Sequence, residues 1–389
     1  MAKKIGCVIA YKPNHNNYGT SLQGYAMLRK IKDMDYDVEV VYYKKQLSFM
    51  QKVTFVWNAY RVGELKQIIM RLNSDKVMKK HPHYAAGIKQ RTNAVNGYKE
   101  KKLLPLFHEY CGYKALHEGS KNYDVIVVGS DQVWTPMSLP NKYFNLLFVA
   151  DEVRKVAYAS SFGVSVIPTF QRKATGAYLD RFYKIGVREQ KGKDIVDTLS
   201  HRTAQVVADP TLLLSRLEWE EEINVTPNYK ITTDEPYIFC YFLGTNQEAR
   251  KAANELKRRT GYKIVTIRHM DEYVPNDERF GDEAPYDVDP NDFVRLISKA
   301  TYICTDSFHC SVFSIIFHRQ FMTFYRFAVG AATGRNSRID SLFGLFKLQD
   351  RLYHGDISAI NATIDYDYVD ARLGELRQES INFLKNALT

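Results

Sequence analysis

The sequence predicts an α/β chain made of two doubly wound domains that face each other across a cleft. Three observations lead there. At 389 residues the chain is longer than one hydrophobic core usually supports. Apolar runs of strand length alternate with segments of helical period, in two separate sets. An acidic, irregular stretch, SRLEWEEEINVTPNYKITTDE at 215–235, divides the sets and is expected to be a linker. The expected domains are 1–214, carrying a basic helical insertion at about 46–118, and 236–389.

In the first set, Ile5–Tyr11 is a continuous apolar run, followed by the polar loop KPNHNNYGT and a helix from about Ser21 to Lys32. Val38–Tyr43 completes a strand–helix–strand unit. The insertion is basic and aromatic, with Lys76, Lys79, Lys80, His81 and His83 crowded into one segment. It reads either as a solvated helical face or as a face for an anionic partner. Four short apolar runs follow: Asp124–Val128, Lys155–Ala159, Lys184–Val187 and Gln205–Ala208. They end in GSDQVW, SSFG, REQ and DPT. Ligands in open α/β sheets bind beyond the carboxyl ends of strands, so these four polar knots should converge on one crevice.

The second set runs strand Tyr237–Leu243, helix Gln247–Thr260, strand Lys263–Arg268, helix Asn291–Lys299 and strand Thr301–Cys304. Next come the turn TDSFHCS, helix Ser311–Phe317 and strand Gln320–Tyr325. Further helix is expected from GRNSRIDSLFGLF and over Ala371–Ala387.

Composition narrows the class. Hydrophobic residues at 45% and charged residues at 25% exclude a disordered chain. The net charge of +10 calls for anionic company: phosphates, acidic glycans, lipid headgroups or nucleic acid. Five cysteines, an odd number without a CxxC, fit reduced, mostly buried thiols in a cytoplasmic protein. A zinc site lacks the required ligand spacing. The lysines before the first apolar run resemble a signal peptide, but the run is too short and is read as a strand.

In TDSFHCS, Thr305 or Ser307 can cap the following helix, whose free amides attract an anion, with His309 in the first turn. The plainer alternative is a capping Ser and a packed His. Cys310 cannot pair with His309, because neighbouring helical residues diverge, and is read as core. Arg188, just past a strand, suits a carboxylate or phosphate, or else an ion pair with Glu189 or Asp209. Asp131 is a candidate acid or base and Trp134 a candidate sugar platform, with a strand-ending turn and a core Trp as the alternatives. Asn17 and Gln23 offer neutral donors, and Arg335 and Arg338 form either an anion site or a charged loop. Neither GxGxxG nor GxxxxGK[ST] occurs, which disfavours nicotinamide and ATP enzymes.

Taken in order, NNYGTSLQ, VGSDQVW, SSFG, VREQ, DPTLLL and TDSFHCSVFSIIF resemble the polysaccharide pyruvyltransferase family from about residue 5 to about 345. That resemblance implies two Rossmann-like domains of the glycosyltransferase-B kind. It also implies transfer of the enolpyruvyl unit of phosphoenolpyruvate onto a sugar hydroxyl pair as a cyclic ketal. Arg188 and His309 match the family's anion-gripping Arg and its second-domain His. Many members carry an Arg beside that His, where this chain has Ser307 and Phe308; either another cation, Arg335 or Arg338 by preference, replaces that charge, or donor use has drifted.

The expected roles follow from that chemistry. His309, Asp131 and Arg188 are catalytic. Arg188, Ser307, His309, Ser160, Ser161, Arg335 and Arg338 hold the donor. Asn17, Tyr18, Gln23, Gln132 and Trp134 meet the acceptor. Phosphoenolpyruvate is a co-substrate, no cofactor or metal is expected, and the acceptor is a surface or capsular polysaccharide precursor, with a polyprenyl-linked form allowed. The protein is expected in the cytoplasm, with peripheral contact with an anionic membrane allowed by the charge. A nucleotide-sugar-dependent glycosyltransferase of the same architecture is the alternative. Nucleic acid is not expected as a partner, because only residues 76–102 are densely basic.

Overall fold

The computed structural model describes residues 3–46, 48–65, 68–69, 77, 80–229, 235–268, 273–326 and 336–389. Two parallel sheets organise the chain, as the alternating strand and helix signals predicted. The first contains β1 (Lys4–Val8), β2 (Asp37–Lys44), β3 (Phe107–Cys111), β4 (Val125–Val128), β5 (Arg154–Ser160), β6 (Lys184–Val187) and β7 (Ala204–Val206), in the order β3-β2-β1-β4-β5-β6-β7. The second contains β8 (Tyr237–Tyr241), β9 (Lys263–Ile267), β10 (Tyr302–Thr305) and β11 (Gln320–Thr323), in the order β11-β10-β8-β9. Every strand pair is parallel, and the central strands are apolar on both faces because helices cover both sides.

The strand order reverses between β1 and β4 in the first sheet and between β8 and β10 in the second. Such reversals open a crevice at the carboxyl ends of the strands. From β1 the chain enters α1 (Tyr18–Lys32), capped by the Asn17 side chain, which accepts from Thr20 N at 3.1 Å. From β10 it enters α6 (Phe308–Ile316), capped by Ser307. Both helices therefore start in the crevice.

The insertion is more than helix. It holds α2 (Phe49–Arg61) and α3 (Pro82–Lys102), but also β3, the edge strand of the first sheet. Only Tyr110 of β3 is buried, so no apolar run marks it in the sequence. α3 joins the two halves: Arg91 donates from Nε to Tyr286 O at 2.8 Å and from Nη2 to Pro285 O at 2.7 Å. Lys76 and Lys79 of the expected basic cluster lie outside the described residues, and His81 stacks on Tyr273 with ring centres 3.8 Å apart.

Two boundaries differ from expectation. The stretch expected as linker contains α4 (Arg216–Ile223), held by a Ser215–Glu218 capping box and by the fully buried Trp219, whose indole donates to Thr211 O at 3.0 Å. After α5 (Pro290–Lys299), α6 and α7 (Ser337–Phe346), the final helix α8 (Tyr366–Leu388) leaves the second sheet and packs on the first. Ser380 Oγ accepts from Ala208 N at 2.8 Å, and Phe383 packs over Gly186. The apolar stripe of α8 finds its partner surface there. As a result, one continuous core holds Ile5, Leu22 and Trp219 together with Val288, Phe293, Phe313 and Leu384.

Candidate active site

The polar knots after β4, β5, β6 and β7 meet the start of α6 and the side chain of Arg338 from α7. Arg188, following β6, is the hub. Its Nη1 donates to Asp209 Oδ2 at 2.8 Å, its Nη2 stands 3.7 Å from Asp131 Oδ1, and its Nε stands 3.8 Å from Glu189 Oε2. Its guanidinium carbon lies 4.9 Å from the Phe308 ring centre, and that of Arg338 lies 5.7 Å from the same ring. Phe308, which stands where a cation was expected, is thus flanked by two guanidiniums. Arg338 enters the cluster; Arg335 lies outside the described residues.

Asp209 divides its carboxylate between two tasks. Oδ1 caps the next helix, accepting from Thr211 N at 3.0 Å, while Oδ2 faces Arg188 and lies 3.7 Å from His309 Nε2. His309 is held from behind by α1. A Cβ on Gly19 would fall 2.1 Å from His309 Nδ1, so only glycine lets the first turn of α1 close on the imidazole.

Asp131 follows β4 with φ of +81°, the left-handed region that Asp tolerates, and this turns its carboxylate toward α1. Thr20 Oγ1 donates to Oδ2 at 3.0 Å and Gln132 N donates to Oδ1 at 2.9 Å. Gln23, fully buried, donates to Thr20 O and accepts from Ser130 N, so it positions the Asp131 turn and does not face a ligand.

The electrostatics are uneven. Burial opposes the charge on Asp131, but Arg188, His309 and Arg338 hold its carboxyl below the usual range. Burial likewise opposes the charge on Asp209, and His309 and Arg188 hold that carboxyl far lower. Glu189 goes the other way: burial pushes it up despite Arg188 nearby and the hydrogen bond it accepts from Ser161 Oγ at 2.6 Å. Burial, then Arg188, works against the charge of Arg338. Arg188 Nε and Nη2, His309 Nε2 and Arg338 Nε are buried without hydrogen-bond partners. A buried donor left unmade is costly, so this cluster is built to receive an acceptor-rich anion.

Beside Asp131 and Thr20 opens a cavity of about 550 Å³ at the carboxyl ends of β1 and β2. Lys12, Lys44, Lys45, Tyr11, Tyr42 and Phe144 share its wall. The sequence did not reveal this cavity, because those residues read there as the polar ends of two strands.

Several expected acceptor and donor residues have structural positions instead. Tyr18 is fully buried, stacks on Phe293 with ring centres 4.7 Å apart, and donates to Val288 O at 3.0 Å; it clasps the two halves. Trp134 sits in the core against Phe162, Tyr178 and Phe182, with its indole donating to Phe144 O at 2.9 Å, so it offers no face to a sugar. Ser160 Oγ is spent on Val128 O, and Ser307 Oγ accepts from Cys310 N as helix cap. Asn17, the cap of α1, and the half-buried Gln132 remain near the crevice. Cys310 is core, as expected, and its thiol is pushed up by burial.

No curated protein sequence matches this chain. Among solved structures, the N-terminal domain of trehalose-6-phosphate phosphatase from Candida albicans aligns over 100% of this chain and 97% of its own, with 8% identity and a TM-score of 0.50, a likeness of fold alone. UDP-GlcNAc 2-epimerase from Neisseria meningitidis aligns over 98% and 100%, with 9% identity and a TM-score of 0.49. The family described as polysaccharide pyruvyl transferase matches residues 17–326, a span that contains Asp131, Arg188, Asp209 and His309. The chain therefore belongs to the polysaccharide pyruvyl transferase family and is a transferase that places pyruvyl groups on polysaccharide.

Proposed function

We propose that the donor is phosphoenolpyruvate and that the product is a cyclic ketal across two hydroxyls of a surface or capsular polysaccharide precursor. One observation carries this reading. Asp131 stands between the cluster of unpartnered donors and the aromatic, lysine-lined cavity: it is 3.7 Å from Arg188 Nη2 and forms part of the cavity wall. The guanidiniums of Arg188 and Arg338 and the imidazole of His309 gather around Asp131 and Asp209, and several of their nitrogens lack hydrogen-bond partners. A small polyanion such as phosphoenolpyruvate would supply acceptors for those donors.

In this mechanism Arg188 and Arg338 grip the carboxylate and phosphate. His309 delivers a proton to the methylene carbon, which leaves the neighbouring carbon open to attack. Asp131, held ionised and aligned by Thr20, takes the proton of the attacking hydroxyl. The carbon–oxygen bond to phosphate then breaks, the second hydroxyl adds to the resulting oxocarbenium carbon and closes the ring, and the departing phosphate takes that hydroxyl's proton. Asp131 then releases its proton to solvent and His309 regains one, so atoms and charge balance without any redox partner.

Asn in place of Asp131 keeps both the left-handed backbone and the bond to Thr20 while removing the base. Asp131→Asn is expected to lower pyruvyl transfer by about 100-fold or more, read as phosphate released from phosphoenolpyruvate in the presence of a saccharide panel, with the native circular-dichroism spectrum retained. Transfer at the wild-type rate would remove Asp131 from the mechanism. Thermal stabilisation by UDP or GDP but not by phosphoenolpyruvate would replace this donor with a nucleotide sugar.

A further inference from the structure

α2 is attached to the body by very little and shows a great deal. Of its residues only Asn58 and Ala59 are buried. Asn58 Nδ2 donates to Pro136 O at 3.2 Å and Asn58 Oδ1 accepts from Gln171 at 2.8 Å. Arg61 lies 3.6 Å over the Phe170 ring. These contacts fix the orientation of the helix.

The opposite face is apolar and in solvent. Phe49, Val53, Val56 and Tyr60 repeat at i, i+4, i+7 and i+11, with Met50 and Trp57 beside them, and all six are exposed; Phe49 is 78% exposed and Trp57 58%. Soluble surfaces rarely keep such a continuous patch without a partner.

The surrounding charge identifies the partner. From Lys44 to Gly63 the sequence contains Lys44, Lys45, Lys52 and Arg61 and no acidic residue. Lys44 ion-pairs with Glu109, and Glu64 follows this stretch, but the charged residues of the helix itself, Lys52 and Arg61, are both cations. With its apolar aromatic face it matches an interfacial helix lying in the headgroup layer of an anionic bilayer. Trp57 and Tyr60, with ring centres 5.7 Å apart, are the residue types that settle at that depth. Among the described residues no helix is long and apolar enough to cross a membrane, so the contact is peripheral.

The position relative to the cavity gives the contact a purpose. Lys44 and Lys45 belong to the cavity wall, and Phe49 stands four positions after Lys45, a reach of at most about 14 Å. We infer that α2 seats the protein on an anionic lipid surface, so that the cavity beside Asp131 receives an acceptor carried on lipid. The second half of that statement rests on the cavity being the acceptor site; the first half does not.

The test is co-sedimentation of the full chain with phosphatidylglycerol-containing vesicles and with pure phosphatidylcholine vesicles. Wild type is compared with the triple variant Phe49→Ser, Val53→Ser, Trp57→Ser. Wild type should bind the anionic vesicles, lose binding as salt is raised, and show a blue shift from Trp57, because Trp134 and Trp219 are already buried. The variant should bind at least about tenfold more weakly while transferring pyruvyl groups to a water-soluble acceptor at the wild-type rate.

Equal binding by wild type and variant, or no binding by wild type, overturns the inference. So does a wild-type dimer that the triple variant dissolves while neither protein binds vesicles, since a second copy would then be the occupant. Vesicle binding by a protein inactive with phosphoenolpyruvate would sustain the membrane contact and remove the donor assignment.

Discussion

Arg188 and His309, contributed by different sheets, approach the same carboxylate oxygen: Asp209 Oδ2 lies 2.8 Å from Arg188 Nη1 and 3.7 Å from His309 Nε2. One buried anion therefore holds both halves of the cluster in register, and each partner restrains the other through it. Because the two side chains share this anion, changes at one should be felt at the other.

Gly19 is the most direct way to test that restraint. A methyl group there would meet the imidazole at 2.1 Å and push it off Asp209. Gly19→Ala should lower kcat by roughly 100-fold, the usual loss for a displaced catalytic group. The melting temperature should fall as well, because the clash and the lost His309–Asp209 approach outweigh the about 1 kcal/mol of helix propensity that alanine gains. Unaltered kcat would show that the position of His309 against α1 is immaterial.

The two guanidiniums should behave differently when replaced by methionine. Arg188→Met leaves Asp209 buried without its closest counter-charge and should destabilise the fold by about 3–5 kcal/mol. Arg338→Met removes a cation that burial and Arg188 already oppose, so denaturant midpoints should hold or rise. Its cost should appear as a roughly tenfold or greater rise in KM for phosphoenolpyruvate, the loss of one charge-assisted contact. Equal destabilisation by both variants would argue against separate roles.

Acid should uncover the stability contributed by Asp131 and Asp209. Both carboxyls titrate lower in the folded chain than in the unfolded one, where an aspartate lies near about 3.9. Their contribution is complete above that value and is lost as pH falls toward the folded-state values. The melting temperature should therefore drop steeply below about pH 4. Asp209→Asn should start lower at neutral pH and decline less. Parallel melting curves for the two proteins would show that Asp209 does not set the acid limb.

The sequence disclosed the site wherever a buried strand ended abruptly in polar residues, because that pattern has few causes in a parallel sheet. Asp131, Ser161, Arg188 and His309 could all be found that way. Asp209 was visible only as an ion-pair partner, since DPT gives no sign that one of its oxygens serves two cations. Thr20 and the cavity lysines gave no signal, because they follow β1 and β2 as ordinary loop and strand-end residues. Trp134 and Tyr18 misled for one shared reason. An aromatic residue with a polar tip looks alike in sequence whether that tip meets a sugar or a backbone carbonyl, and here each meets a carbonyl. The return of α8 to the first sheet was illegible because amphipathic period reveals a face but not its destination.

The shared core bears on how this enzyme works over a catalytic cycle. Phe293, Phe313 and Trp219 lie in the same apolar mass as Ile5 and Leu22, and α3, α4 and α8 all bridge the halves. Halves fused in this way cannot swing apart as freely hinged bodies can. Small-angle scattering of the protein with and without saturating ligands should then superimpose, and turnover would be gated by short loops at the crevice mouth, without wholesale opening and closing of the molecule.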